Sequence, residues 1–150
     1  MLNLQELDAF LRESGAAYEL IHQAEPIRSA QDGAKYYDIR YAAPTFIVQT
    51  DRGLMALIAR ASRGRLDFAA LREQLGLGKL KLADRKKAEA ATGCTLGAVP
   101  LIGTGLPCIF DESLLDFPHV FGGSGDELVT LKIAPADVKR LNDVALCLPR

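Results

Sequence analysis

The spacing of apolar and polar positions predicts helices and strands in mixed order along the chain. Leu4, Leu7 and Leu11 recur at helical spacing before Gly15, which predicts an amphipathic helix over residues 2–14. Apolar runs at 45–49 and 54–59 enclose a polar Asp-Arg-Gly tip, which is typical of a β-hairpin. The same criteria predict strands at 18–22, 80–82, 108–110 and 128–133, and helices at 29–37, 66–75, 85–92, 112–115 and from residue 135 onward.

These elements do not follow a regular strand–helix–strand rhythm. The sequence therefore predicts an α+β (mixed α/β) fold, in a single domain over residues 1–150. Apolar residues make up 49% of the chain and charged residues 25%, which excludes a wholly disordered protein. We expect a cytoplasmic protein without a membrane partner, because no apolar run is long enough to span a bilayer and the N-terminus does not resemble a signal peptide.

The cysteines and histidines do not form a recognisable cluster. Cys94, Cys108 and Cys147 are widely spaced, which fits neither a disulfide framework nor a zinc site. Since no carboxylate–histidine group has metal-ligand spacing either, we expect no metal and no cofactor. Two residues keep alternative interpretations: Cys94 is a thiol nucleophile or a small apolar filler, and His22 binds a ligand or is a hydrogen-bonded structural residue.

The formal net charge of −1 conceals a basic block. Residues 52–87 carry 10 basic and 3 acidic side chains, whereas the segments before and after them are each net −4. Clustered Lys and Arg displace the counterions of a phosphate backbone, so the block is either a polyanion contact or a solvated helix face. Phe68 is its one aromatic residue, which argues against base stacking within this block.

Two further features carry candidate chemistry. The glycine-rich stretch 92–105 matches neither a dinucleotide fingerprint nor a Walker loop. Either its peptide N–H groups face a ligand carbonyl, or it is a turn-rich connection. Asp111, at the end of the predicted strand 108–110, either faces a pocket or caps the turn 112–115.

Three segments, in this order, resemble the YbaK / prolyl-tRNA synthetase-associated editing domains. They are residues 92–103 (TGCTLGAVPLIG), 106–115 (LPCIFDESLL) and 122–141 (GGSGDELVTLKIAPADVKRL). The resemblance begins upstream with Glu19-Leu-Ile-His22 and covers roughly residues 17–143. It implies a mixed, largely antiparallel, partly barrel-like sheet surrounded by helices.

The resemblance also implies a free-standing hydrolase that acts in trans on mischarged tRNA. Such an enzyme removes a wrongly attached small amino acid by hydrolysing the ester at the tRNA 3′ end, with water as nucleophile and no metal. An aminoacyl-tRNA synthetase is a further possible partner. The implied catalytic residues are Gly97, Ala98, Val99 and Pro100, and the peptide N–H groups of the loop 97–101 hold the carbonyl and the developing oxyanion. The implied substrate-binding residues are His22, Ser29, Thr45, Phe46, Gly103 and Asp111. The implied tRNA contacts lie in the basic block and are Arg60, Arg63, Arg65, Lys79 and Lys81.

One departure from the family pattern concerns a cation. Many members carry a lysine where this chain has Pro44, and proline supplies neither a charge nor a donor. The candidates to replace it are Arg28, Lys35, Arg40 and Arg60. Two alternatives to the editing hydrolase therefore stay open. One is a non-catalytic module that binds aminoacyl-tRNA, an amino acid or a synthetase, and the other is a hydrolase of another small acyl ester.

Overall fold

The computed structural model describes residues 2–27, 30–93 and 98–150. The helices are α1 (Leu4–Ser14), α2 (Ala30–Gly33), α3 (Phe68–Leu75), α4 (Arg85–Thr92) and α5 (Pro135–Leu141). The strands are β1 (Tyr18–His22), β2 (Thr45–Thr50), β3 (Gly53–Ile58), β4 (Leu80–Leu82), β5 (Cys108–Asp111), β6 (Val120–Gly123), β7 (Val129–Ile133) and β8 (Val144–Leu148). Short 3₁₀ turns occupy Ile39–Tyr41, Ala61–Arg63 and Glu112–Asp116.

Local capping explains where the first helix begins and ends. The Asn3 side chain accepts from the Glu6 amide and the Glu6 side chain accepts from the Asn3 amide, which forms a capping box. At the other end Gly15 adopts φ 78°, a left-handed conformation that glycine reaches at least cost. The helix buries Leu7 and Leu11, two of the three leucines whose spacing predicted it.

The strands form two sheets. In the first, β7 lies between β1 and β6 and pairs antiparallel with both. The second has the order β4-β2-β3-β5-β8, in which β2 pairs antiparallel with β3 and β4, whereas β5 runs parallel to β3 and β8. A bridge between Ala42 and Phe121 joins the two sheets. The predicted α+β fold with a mixed, largely antiparallel sheet structure is confirmed.

The core is divided by the five-stranded sheet. On one side α1, α5 and the three-stranded sheet bury Leu7, Phe110, Leu131 and Val138. On the other side α3 packs Leu71 and Leu75 onto the sheet. No helix in the described ranges is long and apolar enough to cross a membrane.

Two strands were not predicted. β6 ends in Gly122 and Gly123, a residue type with weak intrinsic strand preference. β8 follows α5 directly. Its parallel pairing with β5, which the sequence pattern did not indicate, defines it as a strand. The remaining predicted strands and helices are present, with bounds that differ by a few residues and with α2 ending at Gly33 instead of near residue 37.

Candidate functional site

A cavity of about 570 Å³ opens where the two sheets meet. Strand β2 forms one wall, and the ends of β6 and β7 form another. Small and apolar residues from separate parts of the chain complete the lining: Ala42, Pro44, Thr45, Phe46, Ile47, Ala61, Gly64, Leu66, Leu82, Ala83, Ala98, Val99, Phe121, Gly122, Gly123 and Val129. The polar and partly polar lining residues are Gln23, Tyr37, Asp126, Glu127 and Thr130, and Ile27 lies beside them.

The segment 98–101 is held tightly against the end of β6. The Leu101 amide donates to the Gly123 carbonyl at 2.9 Å, and the Gly125 amide donates to the Ala98 carbonyl at 2.9 Å. A Cβ atom at Gly123 would lie 2.0 Å from the Val99 carbonyl oxygen. This close approach is why the strand ends in glycine, and it fixes Ala98 and Val99, both 4% exposed, in the cavity wall.

The segment offers fewer oxyanion donors than its length suggests. Pro100 has no N–H group, and the Leu101 N–H is already donated to the Gly123 carbonyl. The prediction that the whole loop 97–101 supplies donors is therefore wrong for these two residues. The amides left as candidates in the described chain are those of Ala98 and Val99, while Gly97 lies outside the described residues.

One polar cluster in the cavity wall is internally satisfied, and one hydroxyl is not. Thr130 Oγ1 donates to Gln23 Oε1 at 3.0 Å, and Gln23 Nε2 donates to the Glu127 carbonyl at 3.0 Å. Thr45 Oγ1 is buried and has no hydrogen-bond partner among the described residues. Burial of an unpaired hydroxyl costs about 1–3 kcal/mol, so this atom is a candidate for binding a ligand.

The charge of the lining is acidic. Pro44, which the resemblance predicts to stand in place of a lysine, lines the cavity, and among the described lining residues the charged ones are Asp126 and Glu127. Three proposed substitutes for the lysine lie outside the lining: Lys35 pairs with Glu25, Arg40 pairs with Asp38, and Arg60 is not a lining residue. The fourth, Arg28, is outside the described residues.

Asp111 lies in the interior and not in the cavity. Its side chain is 0% exposed and accepts from Arg63 Nε at 2.6 Å and from Arg63 Nη2 at 2.8 Å. It also accepts from the Arg60 amide and from the amide and hydroxyl of Ser113. Burial raises the pKa of Asp111, but these hydrogen bonds, chiefly from Arg63, hold it below its usual value. The capping interpretation is thus confirmed, and the pocket interpretation is wrong.

Other predicted substrate-binding residues divide between the cavity and the surface. Thr45 and Phe46 line the cavity. His22 is exposed, and the next residue, Gln23, is the one that reaches the cavity. Gly103 lies in a different groove, where its carbonyl accepts from the Leu2 amide at 3.0 Å, so it is not part of this cavity. Ser29 is outside the described residues, and buried Pro100 is not a lining residue.

The predicted tRNA contacts differ in how exposed their side chains are. Arg65, Lys79 and Lys81 are exposed, and the first and last of these directly neighbour the lining residues Leu66 and Leu82. Arg63, by contrast, uses its guanidinium for Asp111 and for the Pro149 carbonyl, and its side chain is only 21% exposed. Because its Nε and Nη2 donors are used within the protein, the structure argues against the predicted tRNA contact.

The thiols that the structure describes do not form a reactive site. Cys108 is buried, and burial raises its pKa to about 12, which keeps the thiol protonated. Cys147 is exposed, and its hydrogen bond with Glu112 raises its pKa. Cys94 lies outside the described residues. Within the described ranges no group of three or more His, Cys, Asp or Glu side chains has the geometry to hold a metal ion.

A row of aromatic rings was missed by the sequence analysis. Tyr37 stacks on Phe121 with ring centroids 4.7 Å apart, and the row continues through His119 and Tyr41 to Phe117. The signal was present in the alternation of residues 117, 119 and 121, which places three rings on one face of an extended segment.

Comparison with known proteins identifies what this architecture is similar to. The family model of the aminoacyl-tRNA editing domain matches residues 24–141. The crystal structure of the hypothetical protein APE2540 has a TM-score of 0.82 at 21% identity, over 94% of this chain and 96% of that chain. A candidate trans-editing enzyme for prolyl-tRNA synthetase has a TM-score of 0.79 at 21% identity, over 95% and 93%. A candidate signal transduction protein from Marinobacter aquaeolei VT8 matches 95% of this chain but only 30% of its own, with a TM-score of 0.64 at 18% identity.

Proposed function

The chain belongs to the aminoacyl-tRNA editing domain family, and from that premise we propose that it is a free-standing editing hydrolase. Its substrate is a tRNA that carries a wrongly attached small amino acid. Water attacks the ester carbonyl carbon, the bond to the ribose oxygen breaks, and that oxygen leaves as the hydroxyl of the tRNA. The products are the free amino acid and uncharged tRNA.

The observation that carries this proposal is the cavity between the sheets with the segment 98–101 fixed in its wall. The amides of Ala98 and Val99 are the candidate donors to the oxyanion that forms when water adds to the carbonyl. Hydrogen bonds to Gly123 and Gly125 hold the segment before substrate arrives, so little reorganisation is needed during the reaction. Thr45 Oγ1 is a further candidate to bind the ester, because it lacks a partner in the described chain.

The lining supports an aminoacyl ester as the ligand. An aminoacyl ester carries a free α-ammonium group, and the lining includes Asp126, whose Oδ1 accepts from the Leu128 amide at 2.8 Å. Opposite charge in a partly dry site favours that ammonium group over a neutral acyl chain. The small side chains of Ala42, Ala61 and Ala98 beside Phe46 and Phe121 provide an apolar space for a short side chain. Discrimination by one methylene is worth only about 1–3 kcal/mol, so the geometry supports a size class and not one amino acid.

The rim of the cavity supports tRNA as the carrier. Arg65 and Lys81 are exposed and lie next to lining residues, which suits contacts with phosphates close to the ester. Lys79, also exposed, precedes β4 and extends this basic edge.

A second function, a non-catalytic binding module, is favoured by one specific observation. Pro44 stands where the family pattern has a lysine, and the described lining contains no Lys or Arg. A pocket of this kind retains affinity for an aminoacyl ester through its carboxylate and apolar walls, but it lacks a cation to stabilise an oxyanion.

A deacylation time course with mischarged and correctly charged tRNAs tests the proposal. We expect selective loss of one mischarged ester that carries a small amino acid. Gly123→Ala should lower this rate at least about 100-fold, because the new Cβ displaces the Val99 carbonyl and with it the donors of the loop.

Gly15→Ala is the matched control for that variant. It strains a left-handed glycine at the end of α1, where nothing lies within 4 Å of the new Cβ, so deacylation should be retained. Binding of charged tRNA without loss of any ester above buffer would favour the binding module. Absence of both binding and hydrolysis would contradict both functions.

A further inference from the structure

The aromatic row leads from the cavity to the surface of the protein. Tyr37 and Phe121 line the cavity and stack with an interplanar angle of 18°. The His119 ring meets Phe121 at a centroid distance of 5.1 Å and Tyr41 at 5.3 Å, and Tyr41 meets Phe117 at 5.2 Å. Phe121 is 7% exposed, whereas the other four rings are half-buried. These four side chains are therefore partly accessible to solvent, and those of Tyr41, Phe117 and His119 lie outside the cavity lining.

The row lies beside the basic rim. Ala42, which follows Tyr41, accepts through its carbonyl from the Ala61 amide at 2.9 Å. The turn Ile39–Tyr41 thus packs against the turn Ala61–Arg63, which leads into Gly64 and Arg65. Rings and exposed positive charge consequently meet at one side of the cavity mouth.

Arg40 extends the row with a second kind of stacking surface. Its guanidinium lies over the Tyr41 ring, 5.5 Å from the centroid, and its side chain is 77% exposed. Asp38 accepts from Arg40 Nε at 3.0 Å and from Nη2 at 2.6 Å. These bonds lie in the guanidinium plane, so they fix its orientation and leave free the face that points away from the Tyr41 ring. Because Asp38 neutralises and orients this guanidinium, the group is better suited to stack on the face of a base than to bind a phosphate.

We propose that this row is the platform on which the unpaired bases at the 3′ end of the tRNA stack. This inference rests on the proposed function. With the aminoacyl group in the cavity, the ester fixes the terminal ribose at the cavity mouth, and the terminal base, which is attached to that same ribose, lies just outside it. Rings and a guanidinium plane are the groups that bind unpaired bases, because every base has a π-face. The basic block, with Phe68 as its one aromatic residue, does not provide such a surface.

The test uses an uncharged RNA hairpin with an unpaired 3′ end whose terminal adenine is replaced by 2-aminopurine. Stacking quenches the fluorescence of this base, so the assay reports contact with a ring and needs no hydrolysis. We expect quenching by the wild-type protein. Tyr41→Leu should abolish the quenching and weaken RNA binding roughly 5- to 150-fold, the range for loss of one base stack. Tyr41→Phe should retain both.

Two further variants keep the test independent of folding defects. Tyr36→Leu removes a half-buried tyrosine from the same segment and is the matched control, which should bind RNA as the wild type does. Arg40→Gln removes an exposed guanidinium and should weaken binding about two- to fivefold even if Tyr41→Leu does not fold.

The outcomes separate this inference from the proposed function. Quenching by the wild type that is lost in Tyr41→Leu supports the platform, even if the wild type hydrolyses no ester. Failure to hydrolyse any ester contradicts only the proposed hydrolase. Deacylation with no quenching, or with equal RNA binding in Tyr41→Leu and Tyr36→Leu, overturns the platform. If the row binds a partner protein and not RNA, the assay shows no quenching and no difference in RNA binding between the variants, and the platform is overturned.

Discussion

Replacement of Asp111 by Asn tests whether this residue stabilises the fold or binds substrate. The side chain is 0% exposed and accepts hydrogen bonds from Arg63, from Ser113 and from the Arg60 amide. Asparagine has nearly the same shape but presents an NH₂ group where one carboxylate oxygen accepted. Whichever way the amide is oriented, at least two donors then face a donor.

The expected cost follows from this geometry. Removal of one partner of a buried ion pair costs about 3–5 kcal/mol, and the 21% exposure of Arg63 places this case near the lower end. In a chain of this length about 3 kcal/mol corresponds to a fall in Tm of roughly 6–12 °C. Asp116→Asn is the control, because Asp116 pairs with Arg150 at 3.3 Å with both side chains more than half exposed. It should cost no more than about 1 kcal/mol.

Urea unfolding at several pH values measures both variants. The pKa of Asp111 is lowered in the folded protein, so its stabilisation is fully present above about pH 4, the ordinary value for Asp, and is lost as the pH falls through the folded pKa. The difference in the free energy of unfolding between wild type and Asp111→Asn should therefore become smaller only below about pH 4. Deacylation per folded molecule should be unchanged. A stable Asp111→Asn protein with impaired substrate binding would refute the structural assignment.

Two further substitutions address the cavity itself. Pro44→Lys restores a cation to the lining, and we expect the deacylation rate to rise at least about tenfold relative to Pro44→Met, which matches its length without the charge. Equal rates in these two variants would show that the missing lysine does not limit hydrolysis. Thr45→Val removes the buried unpartnered hydroxyl, so Tm should rise by about 2–12 °C while kcat/KM falls about 3- to 10-fold. A lower Tm would mean that the hydroxyl is satisfied in the folded protein.

Features with local signals could be predicted from the sequence. Helix α1 has its cap at Asn3 and its stop at Gly15, and the hairpin of β2 and β3 has its turn residues between two apolar runs. In both cases a few consecutive residues carry the physical cause. The place of Thr45 and Phe46 in the cavity, by contrast, was implied by the family resemblance and not by a local signal.

Features that depend on distant residues could not be predicted in this way. Asp111 and Arg63 are 48 residues apart, and nothing in either local pattern indicates the other. The strand β6 contains Gly122 and Gly123 because segment 98–101 passes within van der Waals distance of it, a constraint invisible in the strand itself. Mutual burial and backbone approach fix these positions, and both arise only once the sheets have assembled.

Under the proposed function, a site without the lysine has to hold its substrate by other contacts. Because the described lining contains no Lys or Arg, we propose Asp126 as the counter-charge of the α-ammonium group and the row from Tyr37 to Tyr41 as the contact of the bases outside the cavity. These contacts act equally on substrate and transition state, so they lower KM without raising kcat. In this proposal, only the amides of Ala98 and Val99 act on a charge that develops during the reaction. Loss of the row should therefore appear in KM, whereas displacement of the loop by Gly123→Ala should appear in kcat.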